Sequence, residues 1–475
     1  MRHRATRWAA LAAAVLTLVT SALVGLSASP ASAGFPYLFR WSTAAGTVAA
    51  THLAGETGTD PYEGPMYGSV QSTQSGGSIY QDITRTIYPG DTYCASAQVA
   101  TEGTATGGGV EMTVFLIWGN VESSTKTVAD LPNRNNWTPV GTCVTATSAH
   151  TAVRIQFYPK VGGPAVAVDA VDLHVSLAAN GGFNNGTSYW SAFAPTTFTT
   201  YGPGTAGAPY EGSRFAAATA GGSVYQDSGR ILNPGDTYCA TAQVASFGST
   251  TGSGGTLAVW LLGGTTENAT TSFAGLPGSG AWTPVTTCAT ATAGHSVVRV
   301  EIYPQPNVPT LLFDMVDLHP SLVRNGGFNA TTAYWSTWAP TVLTTYGPGV
   351  TGNNPPEGAR FGAALPGGSL YQDITGEINY CMSARMATLG TGGGASARLV
   401  LWQLPPSGNA YQLTYRATAN LPGANTWTPS TVCGRGWENI TRAEIYAESG
   451  TLAVDAVDLH RSLAANGGMN EFRID

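Results

Sequence analysis

Side chains able to bind a hydroxyl-rich ligand recur three times along the sequence, on alternate residues of predicted strands. The first set combines a guanidinium, an amide or carboxylate, and a phenol: Arg154, Gln156, Tyr158; Arg299, Glu301, Tyr303; Arg442, Glu444, Tyr446. Alternate residues of a strand share one face of its sheet. Because the intervening Ile155 and Phe157 are apolar, we expect this polar row to face away from the core. The alternative is a solvated face with a cross-strand ion pair.

Two further rows have the same recurrence. Leu257, Val259 and Leu261 predict an inward face, so the intervening Trp260 is expected to face outward. An outward ring of this kind suits stacking on a sugar. The alternative is that a loop or the next domain covers the ring. The residues of this second row are Phe115, Trp260 and Trp402. The third row shares a strand face with cysteines and offers groups for hydroxyl recognition: Gln98, Gln243 and Arg385.

Other recurring residues indicate structure rather than catalysis. Glycoside hydrolysis needs two carboxylates flanking a cleft, but the recurring acids lie in turn-like or terminal motifs: Glu63, Asp82, Asp169, Asp172 and their counterparts. We therefore predict no catalytic residues and no enzyme. Two sets are expected to be buried: Trp137, Trp282, Trp427 in the core and Gln81, Gln226, Gln372 on backbone groups. His174, His319 and His460 recur singly, without a second histidine at metal-binding spacing.

Repeated motifs define the units that position these rows. Asn-Gly-Gly-Phe-Asn begins at Asn180 and Asn325 and returns as Asn-Gly-Gly-Met-Asn at Asn466. Gly-Gly-Ser-x-Tyr-Gln-Asp, Trp-Thr-Pro and Val-Asp-Leu-His each occur three times in the same order. The predicted units are 34–179, 180–324 and 325–465, each near the usual domain size. Residues 466–475 are interpreted as the vestigial start of a further repeat or the remnant of a longer ancestor.

The local pattern predicts an all-β fold. Short alternating segments are separated by Gly, Pro, Asn and Ser, and charged residues make up only 10% of the chain. No segment beyond residue 33 has a convincing helical period. We expect three tandem antiparallel β-sandwiches, because each sheet must bury one face.

Six cysteines fall as one pair in each unit, 49, 49 and 52 residues apart. One pair per repeat in an exported protein predicts one disulfide in each unit: Cys94–Cys143, Cys239–Cys288 and Cys381–Cys433. Metal ligation and free thiols are the alternatives. A metal site is disfavoured because no Cys-x-x-Cys or nearby histidine completes a ligand set.

The first 33 residues have the pattern of a cleaved signal peptide. A basic start with Arg2, Arg4 and Arg7 precedes an apolar stretch and an Ala31-Ser32-Ala33 site. An uncleaved membrane anchor is the alternative. Cleavage removes three arginines and no acid from a net charge of −7, leaving about −10. The sequence therefore predicts a secreted, extracellular, monomeric protein that neither inserts into membranes nor binds nucleic acid, which requires a basic surface.

The order of the motifs resembles the jelly-roll carbohydrate-binding modules, closest to the cellulose- and xylan-binding families four, nine and twenty-two. The resemblance covers all three units and implies a concave sheet face as a sugar cleft. It also implies a structural calcium, held by an acid after the Asn-Gly-x-Phe motif and by C-terminal aspartates. This chain has Asn184 and Asn329 at the first position. The remaining candidate oxygen ligands are Asp169, Asp172, Asp314, Asp317, Asp455 and Asp458.

We therefore expect a non-catalytic polysaccharide-binding protein that requires no cofactor and acts through several weak sites. A structural or adhesive extracellular spacer is the alternative, and a glycoside hydrolase is less favoured.

Overall fold

The computed structural model describes residues 41–204, 207–376, 379–405, 410–423, 425–435 and 440–469. The predicted signal peptide, residues 1–33, lies outside this described part. Strands dominate, and the helical geometry assigned there is one short 3₁₀ turn, Val350–Gly352. No helix of the described residues is long and apolar enough to cross a membrane.

The strands repeat in three sets of ten. The first set is β1 Ser42–Thr43, β2 Thr47–Leu53, β3 Met66–Ser72, β4 Ile79–Ile87, β5 Thr92–Thr101, β6 Gly108–Ile117, β7 Glu122–Leu131, β8 Thr138–Thr145, β9 His150–Pro159 and β10 Val166–Ser176. The second set is β11 Ser191–Phe193, β12 Phe198–Tyr201, β13 Phe215–Ala218, β14 Ser223–Leu232, β15 Thr237–Ser246, β16 Ser253–Leu262, β17 Glu267–Leu276, β18 Thr283–Thr290, β19 His295–Pro304 and β20 Leu311–Ser321. The third set is β21 Ser336–Trp338, β22 Thr344–Tyr346, β23 Phe361–Ala364, β24 Ser369–Thr375, β25 Asn379–Thr388, β26 Ala395–Gln403, β27 Tyr411–Leu421, β28 Thr428–Arg435, β29 Ile440–Ser449 and β30 Leu452–Ser462.

Each set folds into two five-stranded antiparallel sheets. In the first sandwich the strand orders are β1-β4-β9-β6-β7 and β2-β3-β10-β5-β8. We call these the outer and inner sheets, and the other two sandwiches repeat both orders. The predicted all-β sandwich fold is confirmed.

Alternate residues of the outer-sheet strands point to the core of the sandwich, and the residues between them point to the opposite face, which we call the free face. Val153, Ile155 and Phe157 of β9 lie in the core of the first sandwich. In β16, Leu257 and Val259 lie in the core of the second. The strand alternation predicted from the sequence is therefore confirmed in both outer sheets.

A disulfide links neighbouring strands of each inner sheet. The pairs are Cys94–Cys143, Cys239–Cys288 and Cys381–Cys433, as predicted. Each joins directly opposed residues of an antiparallel pair, such as β5 and β8 in the first sandwich.

The three sandwiches form a ring in which the inner sheets face one another. β10, β20 and β30 contact each other along a common axis. In addition, a loop of each sandwich docks on its neighbour: Gly212 N bonds Thr125 O at 2.9 Å, Gly358 N bonds Thr270 O at 3.0 Å, and Gly64 N bonds Tyr415 O at 2.8 Å. The last contact joins the first sandwich to the third. The ring is therefore closed, with the outer sheets on its outside.

Candidate functional site

The outer sheet of the second sandwich carries an open cavity of about 390 Å³ on its free face. The predicted row of β19 forms part of it, beside Trp260 of β16 and Phe193 of β11. The lining residues are Phe193, Gly222, Ser223, Trp260, Leu262, Thr266, Arg299, Glu301 and Tyr303. The cavity thus brings together the first two predicted rows in this sandwich.

Arg299 is held rigidly in the cavity. Its Nε and Nη2 donate to Asp227 Oδ1 and Oδ2 at 2.6 and 2.9 Å, a bidentate ion pair. Its guanidinium lies 4.0 Å from the centroid of the Tyr225 ring. Asp227 and its charge-assisted hydrogen bonds raise the pKa of Arg299, so the group stays positive.

Glu301 and Tyr303 complete the polar part of the cavity. The Ser223 hydroxyl donates to Glu301 Oε1, and Arg299 Nη1 lies 3.7 Å from Glu301 Oε2. Burial raises the pKa of Tyr303, which therefore stays a neutral phenol with a hydrogen to donate. The floor offers a cation, a carboxylate and a phenol in fixed positions.

Aromatic rings complete the cavity lining. Phe193 is 48% exposed and is stacked on Tyr225 with ring centroids 4.6 Å apart. Trp260 is partly buried and lies opposite Arg299 in the sheet register. Sequence reasoning missed Phe193, because β11 has only three residues and shows too little alternation to be recognised as a strand.

The third sandwich repeats this arrangement. Arg442 donates to both carboxylate oxygens of Asp373 at 2.7 and 3.0 Å and lies 3.8 Å from the Tyr371 centroid. Ser369 donates to Glu444, as Ser223 does to Glu301. Trp402 lies opposite Arg442 in the register, and Tyr446 opposite Ser369. Trp338, 62% exposed, takes the position of Phe193, so two indoles flank this face.

The first sandwich retains the polar row but lacks one of the rings. Arg154 donates to Asp82 at 2.5 and 2.8 Å, and Gln156 donates to Ser78 at 2.6 Å. Burial raises the pKa of Tyr158 to about 12. Phe115 lies opposite Arg154, but Ala44 follows β1 at the position of Phe193. This face therefore has less apolar area and no carboxylate matching Glu301.

The third predicted row is not part of any of these faces. Gln98, Gln243 and Arg385 lie in β5, β15 and β25 of the inner sheets, which face the neighbouring sandwiches. Arg385 Nη2 lies 3.4 Å from the Pro284 carbonyl oxygen, to which it donates. The predicted hydroxyl-recognition role of Arg385 is therefore corrected to a contact between sandwiches, while that of Gln98 and Gln243 stays a prediction. The physical reason is that ring assembly covers this sheet face, which the strand pattern alone cannot show.

Three of the aspartates predicted as calcium ligands instead bind histidines on the ring axis. Asp317 Oδ2 accepts from His319 Nδ1 at 2.6 Å and from His174 Nε2 at 3.0 Å. Asp458 accepts in the same way from His460 and His319. Asp172 accepts from His174 and His460. Six side chains from three sandwiches thus form one closed cycle, which we call the axial cluster.

The other three candidate aspartates hold the docking loops. Asp169 accepts from the backbone N of Glu63 and Ala170 at 3.0 and 2.9 Å. Asp314 and Asp455 hold the loops containing Glu211 and Glu357 in the same way. Next to Asp314, Lys126 of the first sandwich donates to the Tyr210 carbonyl oxygen and supplies a positive charge.

Calcium does not fit either set of aspartates. It needs six to eight oxygen ligands, whereas the axial carboxylates are shared between imidazoles and the loop carboxylates are bonded to backbone N–H groups. The cysteines nearest the axial histidines, such as Cys94 beside His174, are in disulfides and provide no thiolate for another metal.

Two structural predictions are settled by side-chain contacts. Gln81, Gln226 and Gln372 are buried and bond backbone groups, as predicted; Gln226 binds Ala179 N and O at 2.6 and 2.9 Å. The tryptophans Trp137, Trp282 and Trp427 are partly buried and pack against small satellite clusters rather than the main cores, so their expected core position is corrected. These clusters lie on the inner sheets, near the docking loops.

Carbohydrate-binding modules are among the solved structures to which this chain is similar. A tandem of two family 22 modules from Xyn10C of Paenibacillus barcinonensis matches with 11% identity and a TM-score of 0.25, over 59% of this chain and 96% of that chain. The C-terminal family 22 module of Xyn10B from Clostridium thermocellum matches with 11% identity and a TM-score of 0.24, over 30% and 92%. A family 61 module bound to β-1,4-galactotriose matches with 13% identity and a TM-score of 0.24, over 30% and 99%.

No protein-family model matches the sequence, and no curated protein matches it. A family 4 module is also among the structural matches, at 18% identity and a TM-score of 0.20, over 29% of this chain and 99% of that chain. The structural matches therefore include families 22 and 4, two of the three families that the sequence motifs resemble.

Proposed function

We propose that the protein is a secreted, non-catalytic polysaccharide-binding protein whose main sites are the outer sheet faces of the second and third sandwiches. The observation that supports this most directly is the cavity of the second sandwich. There, exposed and partly exposed rings border a fixed set of donors and acceptors. Rings can stack on the apolar face of a pyranose, and the polar groups can bond its hydroxyls.

The charges of the cavity favour a neutral glycan. Arg299 is paired with Asp227, and Glu301 adds a further negative charge. A polyanionic ligand would therefore find no free cation among the lining residues. A neutral sugar can accept from Arg299 and Tyr303 and donate to Glu301 without displacing an ion pair.

The same geometry argues against hydrolysis. Glu301 is the one carboxylate among the residues that line the cavity, whereas hydrolysis of a glycosidic bond requires two. Asp227, the nearest second acid, has both oxygens bonded to Arg299. Because Arg299 occupies both oxygens, neither is free to donate a proton to a glycosidic oxygen.

The first prediction concerns the two indoles. Replacing Trp260 and Trp402 together by alanine should weaken binding of a neutral oligosaccharide by about tenfold or more. A stacked ring buries roughly 80 Å², or about 2 kcal/mol of apolar contact. Titration calorimetry with xylo-, cello- and galacto-oligosaccharides measures the loss.

The matched control is Phe115→Ala on the first sandwich, which should change affinity little because that face lacks the second ring. Val259→Ala is the stability control, since it truncates a core residue beside Trp260. Equal affinity of the double tryptophan variant and the unmodified protein would contradict the proposed site. Loss of folding in the double variant would contradict the outward orientation of the rings.

The ring also determines how several sites can act together. The outer sheets lie on the outside of a closed ring, so their free faces point away from the axis in three directions. A straight segment of one glycan chain cannot lie along all of them at once. The proposed multivalent action is therefore cross-linking of separate chains, rather than repeated attachment to one chain.

We expect the protein to raise the turbidity or viscosity of a soluble polysaccharide that it binds, with a maximum at intermediate protein concentration. Excess protein should saturate each chain separately and reverse the effect. The Trp260→Ala single variant should retain binding through the third sandwich but cross-link much less. Equal cross-linking by this variant would contradict the two-site arrangement.

A further inference from the structure

Residues 466–469 repeat the local structure of the motifs that begin at Asn180 and Asn325. The three asparagines have the same left-handed φ of 54°, and Phe183, Phe328 and Met469 have φ of 54°, 53° and 52°. In each motif the N–H of the fourth residue donates to the carbonyl oxygen of the asparagine, at 3.1, 3.1 and 3.0 Å. Residues 466–469 are thus a fully formed third copy of this motif.

This third copy belongs structurally to the first sandwich. Val171 N donates to Gly467 O at 3.0 Å, as Val316 N does to Gly181 O at 2.9 Å in the second sandwich. Leu463 N donates to Leu173 O at 2.5 Å; the equivalent bond there, from Leu177 to Leu318, is 2.6 Å. A segment from the far end of the third sandwich therefore makes the contacts that a leading motif makes elsewhere.

Side chains fix the same segment in place. Met469 is fully buried in the core of the first sandwich, together with Ala464. Gln81 Oε1 accepts from Ala465 N at 2.7 Å, and its Nε2 donates to Ala465 O at 3.0 Å. The first sandwich thus obtains part of its core from residues nearly 300 positions downstream of β10.

The sequence before β1 explains the need for this contribution. Residues 34–40 read Gly-Phe-Pro-Tyr-Leu-Phe-Arg and contain no Asn-Gly-Gly. In the second and third sandwiches that triplet provides a glycine that packs against the central strand of the inner sheet, β20 or β30. A Cβ on Gly181 or Gly467 would overlap the carbonyl oxygen of Val316 or Val171, so this position requires glycine.

We propose that residues 463–469 are a latch that closes the ring, and that the first sandwich has a binding groove for an Asn-Gly-Gly-apolar segment. We define this latch groove by Gly68, Gln81, Val171 and Leu173. Its occupant is the chain's own segment, whose Met469 side chain packs beside Gly68. No covalent bond joins the segment to the residues of the groove. A free peptide of the same sequence should therefore also bind there once the latch is displaced.

The test uses the full chain with Gly467→Val, because the added side chain collides with the β10 backbone. We expect this variant to have a larger radius of gyration in small-angle scattering than the unmodified chain. A synthetic peptide of residues 463–469 should bind the variant with one-to-one stoichiometry and restore the compact radius, while the unmodified chain takes up none. Gly229→Val is the matched control, since Gly229 lies exposed in β14 with open space around it.

Hydrogen exchange of the unmodified chain gives an independent readout. The Val171 amide should be protected to within about tenfold of Val316 and Val457, which make the same bond within continuous junctions. Met469→Ser, a gentler change than Gly467→Val, should increase exchange at Val171 alone. Fast exchange at Val171 in the unmodified chain would overturn the proposal. The proposal would also be overturned if neither Gly467→Val nor Met469→Ser took up the peptide. A dimer in which segment 463–469 occupies the groove of a second copy would overturn it as well.

Discussion

Replacing His319 by alanine is expected to lower the free energy of unfolding by about 3 to 5 kcal/mol, the usual cost of removing one partner from a buried charge pair. His319 lies in the axial cluster and donates to Asp317 at 2.6 Å and to Asp458 at 3.0 Å. Both carboxylates are almost fully buried. Without the imidazole, each would keep one histidine partner and lose half of its compensating charge.

The size of this effect follows from the cyclic arrangement. His174, His319 and His460 each bridge an aspartate of their own strand and one of a neighbouring sandwich. When the imidazoles are protonated, three positive charges balance three negative charges. The neighbouring carboxylates raise the pKa of all three histidines, so the cluster is fully ionised at neutral pH.

Chemical denaturation at pH 7 measures the loss, with His52→Ala as the control. His52 lies near Glu56 and Glu102 with its side chain 20% exposed, so its removal should cost no more than about 1 kcal/mol. A loss for His319→Ala as small as for His52→Ala would contradict the view that the axial cluster holds the sandwiches together.

Sequence periodicity was sufficient for features that depend on neighbours along one strand or within one unit. The outward orientation of Trp260 and the core position of Phe157 follow from alternation alone. The pairing of Cys94 with Cys143 follows from one cysteine pair per repeat. These features require no knowledge of how the sandwiches are arranged.

Contacts between sandwiches cannot be predicted from alternation along a strand or from the pattern of a single repeat. His174 recurred without a second histidine nearby in sequence, because its partner Asp317 comes from another repeat. The strand pattern predicts a ligand-facing Arg385, because it does not show which sheet faces a neighbour. The sequence does contain a signal of these contacts. An Asp-x-His pair lies inside an apolar strand in all three repeats, which implies a buried partner for its charges. Threefold repetition allows those partners to be supplied cyclically.

Raising the pH from about 6 to 10 is expected to destabilise the ring strongly. Interaction with Asp317 and the other axial carboxylates raises the pKa of His174 to about 10, of His319 to about 9 and of His460 to about 10. An unfolded histidine has a pKa of about 6.5. Between these values the folded protein holds protons that the unfolded chain has released, so stability falls as pH rises. The stabilisation is complete below pH about 6.5 and is lost as pH passes through about 9 to 10.

Buried carboxyls in the docking loops act in the same direction. Burial raises the pKa of Glu211 to about 7 and of Glu357 to about 8, above the value of about 4.3 for an unfolded glutamate. These groups also bind more protons in the folded state, so they lose stabilising effect between about pH 5 and 8. The axial aspartates act oppositely: the histidines hold the pKa of Asp172 far below its usual range, and its contribution is lost only in acid. Stability should therefore be greatest between about pH 4 and 6.

Urea denaturation at pH 6, 7.5 and 9 tests this directly, because each imidazolium contributes a slope on the order of 1.4 kcal/mol per pH unit between its two pKa values. The sandwiches should separate as the cluster loses its positive charges, since three buried carboxylates then face one another across the axis. His319→Gln removes one titrating group and keeps a donor, so it should reduce the slope by about one proton. A stability that stays flat from pH 6 to 9, or the same slope in His319→Gln and the unmodified protein, would show that the axial histidines are not the charged bridges between sandwiches.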